Sequence, residues 1–260
     1  MTLLNLRRYR VPAVSMPIEE RVDVCIPARN EAENIITLVE DIDRALAALG
    51  GFEIIVVDDA STDASVAVLR KRAQSMPHLR VLTHDRSGGQ SAAVHSGVLA
   101  SRGAVICTLD GDGQNPAEEL PHLLAPILGD ATGRIGLVAG QRVARQDTWS
   151  KKAASKFANG LRGWMLQDGT RDTGCGLKAF RREAFLALPY FNHMHRYLPA
   201  LFARDGWAIA HVDVTHRARG AGRSNYSNLQ RAAVGVVDLI GVAWLLRRRK
   251  ISTVLPDDLR

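Results

Sequence analysis

The chain is expected to fold in the α/β class, as a mixed, mainly parallel sheet flanked by helices and followed by a C-terminal amphipathic helix. Three observations predict this. In the first half, short β-branched runs alternate with helical patterns, the arrangement of strands joined by crossover helices. Those runs are nearly continuous and apolar, as strands buried on both faces require. The 260 residues, 46% of them hydrophobic, suffice for one large core.

Taken in order, Val22 to Ala28 is the first predicted strand and a helix near 31–49 follows, with Asn30 as its N-cap and Glu33 three residues on. Phe52 to Ala60 is the second strand, and Asp63 reads as the N-cap of the next helix, near 63–76. Leu79 to His84 is the third, before a helix near 90–101. Ala104 to Asp110 is the fourth, after which Asn115 and Pro116 suit the cap and first position of another helix. Beyond Gly136 the pattern changes. Strands are expected at Leu137 to Gln141 and Gly176 to Phe180, a basic helix near 150–166, and helices near 182–188 and 195–204. Trp207 to Arg217 alternates as a half-exposed strand does, and Gly220, Gly222 and Ser224 mark a loop. Without repeats or low-complexity linkers, one contiguous domain is expected over 22–227, between a basic segment at 1–21 and a helix and tail at 228–260.

The last helix is apolar from Ala232 to Leu246 except for Asp238, and ends Arg247-Arg248-Arg249-Lys250. It is short for a span, since crossing a bilayer takes about 20 apolar residues. Two placements fit: an interfacial helix with its basic end on anionic head groups, or a helix packed on its own domain with a solvated tail.

Composition excludes several classes. Cys25, Cys107 and Cys175 are odd in number and far apart, so neither a disulfide framework nor a CxxC metal site is indicated. No signal-peptide pattern opens the chain, where Arg7, Arg8 and Arg10 interrupt the leucines, and a peripheral position on the cytoplasmic face of a membrane is expected. A net charge of +7 admits anionic partners, but with 5% aromatic residues there is no interleaved basic and aromatic stripe for stacking bases, so nucleic acid is not expected.

The chemistry concentrates where the fourth strand ends, at Leu109-Asp110-Gly111-Asp112-Gly113-Gln114. Loops after such strands are where open α/β sheets hold ligands. Gly111 and Gly113 permit backbone angles that turn both carboxylates to one point, with Gln114 close behind. Mg²⁺ or Mn²⁺ favours such oxygen donors, completed by phosphate and water. A solvated Asp-Gly turn fits the same residues, and the surrounding motifs decide.

Pro27-Ala-Arg-Asn-Glu31, Val57-Asp-Asp-Ala-Ser-Thr-Asp63 and Asp110-Gly-Asp-Gly-Gln-Asn-Pro116 together resemble the ordered signature of family 2 glycosyltransferases with the GT-A fold. The C-terminal half resembles the dolichyl- and undecaprenyl-phosphate sugar synthases within it, at Asp172-Thr-Gly-Cys-Gly-Leu-Lys-Ala-Phe180, His195-Arg-Tyr-Leu-Pro-Ala-Leu201 and Arg219-Gly-Ala-Gly-Arg-Ser-Asn225. The resemblance implies a metal-dependent enzyme that moves a sugar from a UDP- or GDP-sugar onto a polyprenyl phosphate. By position, Pro27, Arg29, Glu31, Asp58 and Asp59 are implied in nucleotide binding, and Asp110, Asp112 and Gln114 in holding the metal on the diphosphate. Arg142, Lys151, Ser155, His195 and Arg196 are implied at the acceptor phosphate, although His195 and Arg196 also suit a helix N-terminal ion pair. Arg219 is implied to close over the diphosphate. The sequence departs from the family at Arg29, where an aromatic residue is common, and at Asn225, where a lysine is expected. A membrane surface is the implied partner, with a membrane protein or a second copy as a further means of attachment.

A phosphate oxygen is already anionic and needs no general base, whereas a sugar hydroxyl does. A hydroxyl acceptor is the alternative on the same fold, with Asp172 as base. A nucleotidyltransferase lacks its glycine-rich loop here, and intact Asp110, Asp112 and Gln114 argue against a non-catalytic scaffold.

Overall fold

The computed structural model describes residues 21–143, 172–217 and 228–248, together with 160, 162, 163, 165, 166, 169 and 170. Strands β1 (Val22–Ala28), β2 (Phe52–Asp58), β3 (Leu79–Thr83) and β4 (Val105–Thr108) alternate with helices α1 (Ile35–Leu46), α2 (Ser65–Ala73) and α3 (Gln90–Ala100). Helix α4 (Leu120–Leu128) leads to β5 (Ile135–Arg142). Then come β6 (Lys178–Arg181), α5 (Arg182–Leu186), α6 (Leu198–Arg204), β7 (Ala208–Val214) and α7 (Asn228–Arg247).

The seven strands form one sheet in the order β3-β2-β1-β4-β6-β5-β7. All neighbours pair parallel except β6, which runs antiparallel to both β4 and β5. This single reversal positions the site. Because β6 runs backwards, its first residue, Lys178, lies opposite Thr108 of β4 and Ala139 of β5, at the edge where β4 and β5 end.

Alternation along the central strands divides the core. Val24 and Ile26 of β1, with Ile54 and Val56 of β2, face α1, α2 and α4, while Cys25, Ile55 and Val57 face α3 and the C-terminal helices. Helix α1 buries Ile35, Leu38, Val39, Ile42 and Leu46, a stripe at helical spacing. Two predicted caps fall elsewhere. Asn30 has φ 57° and accepts from the Thr62 backbone N–H at 2.8 Å, five residues before α1 begins. Asn115 turns its amide toward Asp110, and Pro116 precedes a 3₁₀ turn at Ala117–Glu119. Asp63 does accept the backbone N–H of Ser65, the first residue of α2, and also that of Ala32, which ties two loops together.

Asp23, fully buried in β1, accepts from Ser101 Oγ (2.7 Å) and from the backbone N–H groups of Gly103 (2.7 Å), Arg102 (3.0 Å) and Glu53 (3.1 Å). Burial opposes its ionisation, but these donors and Arg21 outweigh it and hold its pKa below the usual value. Its contribution is therefore complete above the unfolded carboxylate pKa of about 4 and is lost as pH falls through the lowered value. Asp23→Asn is expected to cost about 2–4 kcal/mol at neutral pH. In urea unfolding, the gap to the wild type should narrow as pH falls below the unfolded carboxylate pKa of about 4.

Helix α7 meets the rest of the protein through Val242, Leu239, Ala243, Leu245 and Leu246, which pack on the second core cluster. Asp238, the one acid of this apolar stretch, pairs with His193 Nδ1 at 2.9 Å. Its opposite side carries Val234, Val237, Ile240 and Trp244, with Val237 70% and Ile240 59% exposed. Among the described residues no helix is long and apolar enough to cross a membrane.

Candidate active site

The loops at the C-terminal ends of β1, β2, β4 and β5 converge. In the β4 loop, Gly113 takes φ 70°, as the turn requires, whereas Gly111 is needed for space: a Cβ there would lie 3.1 Å from the Pro27 carbonyl oxygen. Asp110 accepts from Gln90 Nε2 at 2.7 Å and from Asn115 Nδ2 at 3.4 Å. Both donors are neutral and leave its charge uncompensated. Burial and the neighbouring Asp112 push its pKa upward, against the pull of Lys178, Asn115 and Arg142. The Asp112 carboxylate accepts from the Gln114 backbone N–H at 3.2 Å, and the buried Oδ1 of Asn115 has no protein partner.

Two adjacent carboxylates whose charges repel, beside an amide oxygen without a donor, fit a hard divalent cation. Among the described residues no group of three His, Cys, Asp or Glu side chains is placed to hold a metal. The protein groups that could hold one here are the two carboxylates and the Asn115 amide oxygen, with the Gln114 of the sequence expectation two residues beyond Asp112, and phosphate and water would complete the shell.

A cavity of about 350 Å³ opens beside Asp110. Pro27, Arg142, Asp172, Lys178, His195 and Arg196 lie in its wall. Arg142 grips Asp172 with two of its five N–H groups, Nε to Oδ2 at 2.5 Å and Nη2 to Oδ1 at 2.9 Å. That pairing raises the Arg142 pKa. Asp172 also accepts from the Gly174 backbone N–H, so its carboxylate is an anchor for Arg142. The sequence offers it as a base; the structure gives both its oxygens to hydrogen bonds. His195 Nδ1 lies 2.7 Å from Ser91 Oγ, and burial drives its pKa well below the normal value, which keeps the ring neutral near pH 7. A neutral His195 is not half of an ion pair.

The other expected residues form a second region, around the ends of β1 and β2. Asp58 accepts from the Ser61 backbone N–H through Oδ2, while its buried Oδ1 has no protein partner and is open to a donor. Asp59 differs. Its oxygens already take His84 Nδ1, Ser87 Oγ and the backbone N–H groups of Gly88 and Gly89, all at 2.7–2.8 Å. Expected at the nucleotide, Asp59 in this structure shapes the 84–89 loop, and these donors outweigh burial to lower its pKa. Arg29 reaches the same loop, donating to Ser87 Oγ at 3.0 Å, and Glu31 accepts from Asn34. Lys151, Ser155 and Arg219 lie outside the described residues. Arg217, two residues before Arg219, donates its backbone N–H to the Gln114 carbonyl at 2.9 Å and pairs with Glu118.

Sequence reasoning missed Gln90, Ser91 and Lys178. Gln90 and Ser91 open α3 and carry no local sign of function; only the sheet order brings them beside Asp110 and His195. Lys178 stands inside a quoted motif, and a lysine beginning a buried strand was the available signal.

The family described as "Glycosyl transferase family 2" matches residues 23–188. Among curated proteins, the chain is 32% identical to a dodecaprenyl-phosphate galacturonate synthase of Rhizobium johnstonii, over 87% of this chain and 67% of that one. It is 34% identical to an undecaprenyl-phosphate 4-deoxy-4-formamido-L-arabinose transferase of Enterobacter sp. strain 638, over 80% of this chain and 63% of that one. The chain thus spans about two thirds of the length of these relatives. Among solved structures it is similar to glucosyl-3-phosphoglycerate synthase from Mycobacterium tuberculosis in complex with Mn²⁺, UDP-glucose and glycerol 3-phosphate. The TM-score is 0.64 at 21% identity, over 87% of this chain and 80% of that one, a likeness of fold.

Proposed function

The chain belongs to glycosyl transferase family 2, and from that premise we propose that it transfers a sugar, with inversion, from a nucleotide-sugar donor to a polyprenyl phosphate. The observation that carries this reading is the cavity beside Asp110. Its wall is cationic at Arg142 and Arg196, and among the described residues its one carboxylate besides Asp110, that of Asp172, is locked by Arg142. Such a chamber suits an acceptor that arrives already anionic. Both curated relatives are named for polyprenyl-phosphate acceptors, which supports the same assignment.

In this reading Asp58 Oδ1, Glu31 and the Pro27 loop receive the nucleoside, and Asp110, Asp112 and Gln114 hold Mg²⁺ or Mn²⁺. The cation supplies charge neutralisation for the leaving diphosphate. Arg142 orients the acceptor phosphate, and neutral His195, fixed by Ser91, offers a ring edge to its oxygen. Arg219, Lys151 and Ser155 are assigned from the family resemblance alone, Arg219 to the diphosphate and the other two to the acceptor side. The domain proper is 22–227.

The test is nucleoside diphosphate release from a panel of UDP- and GDP-sugars with Mn²⁺, with and without undecaprenyl phosphate. Release that requires the lipid phosphate is expected; release that instead requires a saccharide overturns the reading. Asp172→Asn should lower kcat/KM about tenfold through acceptor KM, because one charge-assisted bond to Arg142 is lost. The pH profile should keep its shape. A kcat loss of about 10² or more at unchanged acceptor KM would mark a general base and a hydroxyl acceptor.

The outer stripe of α7 is assigned to the membrane. Val234, Val237, Ile240 and Trp244 face outward, and the Arg248 guanidinium lies 5.8 Å from the Trp244 ring centroid. Apolar insertion beside cations suits an anionic leaflet. The double variant Val237→Asp/Ile240→Asp is expected to abolish co-sedimentation with phosphatidylglycerol vesicles while retaining the wild-type melting temperature. Undiminished binding would locate the contact elsewhere.

A further inference from the structure

Lys178 is buried at the first position of β6, yet no step assigned above uses it. Its ammonium has three donors, and its one hydrogen bond is to a neutral group, the Cys175 carbonyl oxygen. Among the described residues it forms no ion pair, although Asp110 and Asp172 are near enough to act on its charge. A buried ammonium with one neutral acceptor is costly unless something else satisfies it. The nearby carboxylates are committed: Asp172 is held by Arg142, and Asp110 belongs to the metal loop.

The register determines what Lys178 faces. It pairs across to Thr108, two residues before Asp110, and to Ala139, three before Arg142, so it stands on the floor of the cavity between the metal loop and Arg142. Arg196 and His195 line the same cavity. An anion entering this chamber meets an Arg142 held directly by Asp172, whereas Lys178 is hydrogen-bonded only to a carbonyl and feels Asp110 and Asp172 without contact.

We infer that Lys178 is the principal cation for the terminal phosphate of the acceptor, binding a phosphate monoester in preference to an alcohol. The inference rests on the lipid-phosphate reading above and adds the residue that recognises the headgroup. Two further ammonium hydrogens can each take a phosphate oxygen, a contact Arg142 shares from the side.

The test is calorimetric titration of wild type, Lys178→Met and Lys178→Arg with farnesyl phosphate in detergent, with farnesol as control, and separately with UDP plus Mn²⁺. Lys178→Met should lose at least about tenfold in farnesyl phosphate affinity, the scale of one charge-assisted contact, with UDP affinity unchanged. Lys178→Arg keeps the charge and should lose only a few-fold; it also serves if the methionine variant fails to fold. Unchanged farnesyl phosphate affinity in Lys178→Met would overturn the inference alone. A parallel loss of UDP·Mn²⁺ affinity would also overturn it, making Lys178 a countercharge for Asp110. Should the wild type bind farnesyl phosphate no better than farnesol, the lipid-phosphate reading itself falls, and this inference with it.

Discussion

Asp110→Asn is expected to lower kcat by on the order of a thousandfold, because it removes an anionic donor to the cation that neutralises the leaving diphosphate. The fold should not suffer. Burial and Asp112 raise the Asp110 pKa, so without metal the ionised side chain destabilises the native state as pH rises above its ordinary range. A neutral amide removes that term, and metal-free Asp110→Asn should melt at or above the wild-type temperature at pH 8. Metal-induced stabilisation, by contrast, should shrink or vanish in the variant. Turnover with Mn²⁺ and paired melting curves measure both. A variant that melts well below the wild type without metal would make Asp110 a structural residue, and the activity loss would then say nothing about the cation.

Gly176→Ala is expected to reduce turnover by about a hundredfold without touching any donor atom. A Cβ at this position would lie 2.5 Å from Asp110 Cγ and 2.7 Å from its Oδ1, so the carboxylate must move or the β6 entry must retreat. A displacement near 1 Å at a reacting centre costs about that factor, and the overpacking itself costs about 1–3 kcal/mol. Gly51→Ala is the matched control, since a Cβ there meets nothing within 4 Å, and it should keep wild-type turnover. Normal activity in Gly176→Ala would show that Asp110 has latitude that the close packing denies it. The signature is a fall in kcat together with weakened Mn²⁺ affinity, read by metal titration of turnover.

What could be read from the sequence was what is local. Hydrophobic runs placed the inner strands, because a strand buried on both faces must be apolar throughout, and alternation placed the half-exposed β7. Asp110, Asp112 and Gln114 could be singled out because they fall within five residues of one another after a strand. The Arg142–Asp172 pair was not, since thirty residues separate the partners and only the antiparallel return of β6 joins them. Asp59 misled for the same reason. Its motif advertises a ligand, while its four donors come from a loop 25–30 residues downstream. The acid in α7 was visible, but its partner His193 lies 45 residues upstream and needed the tertiary fold to appear. Asn30 and Asn115 suit caps by their neighbours alone, but Asn30 bonds across to the β2 loop and Asn115 bonds back to Asp110 within its own loop.

The reversed strand β6 carries a consequence for how specificity can change. The chain leaves the site at Arg142 and returns at Asp172, and these two residues clamp each other. The two ends of the intervening stretch are thereby fixed beside the chemistry, and β4, β5 and β6 pair with one another without it. Loop closure makes added length inexpensive, about 0.6 kcal/mol for each doubling, so residues inserted soon after Arg142 or shortly before Asp172 are expected to leave the sheet register, and with it Arg142 and Lys178, where they are.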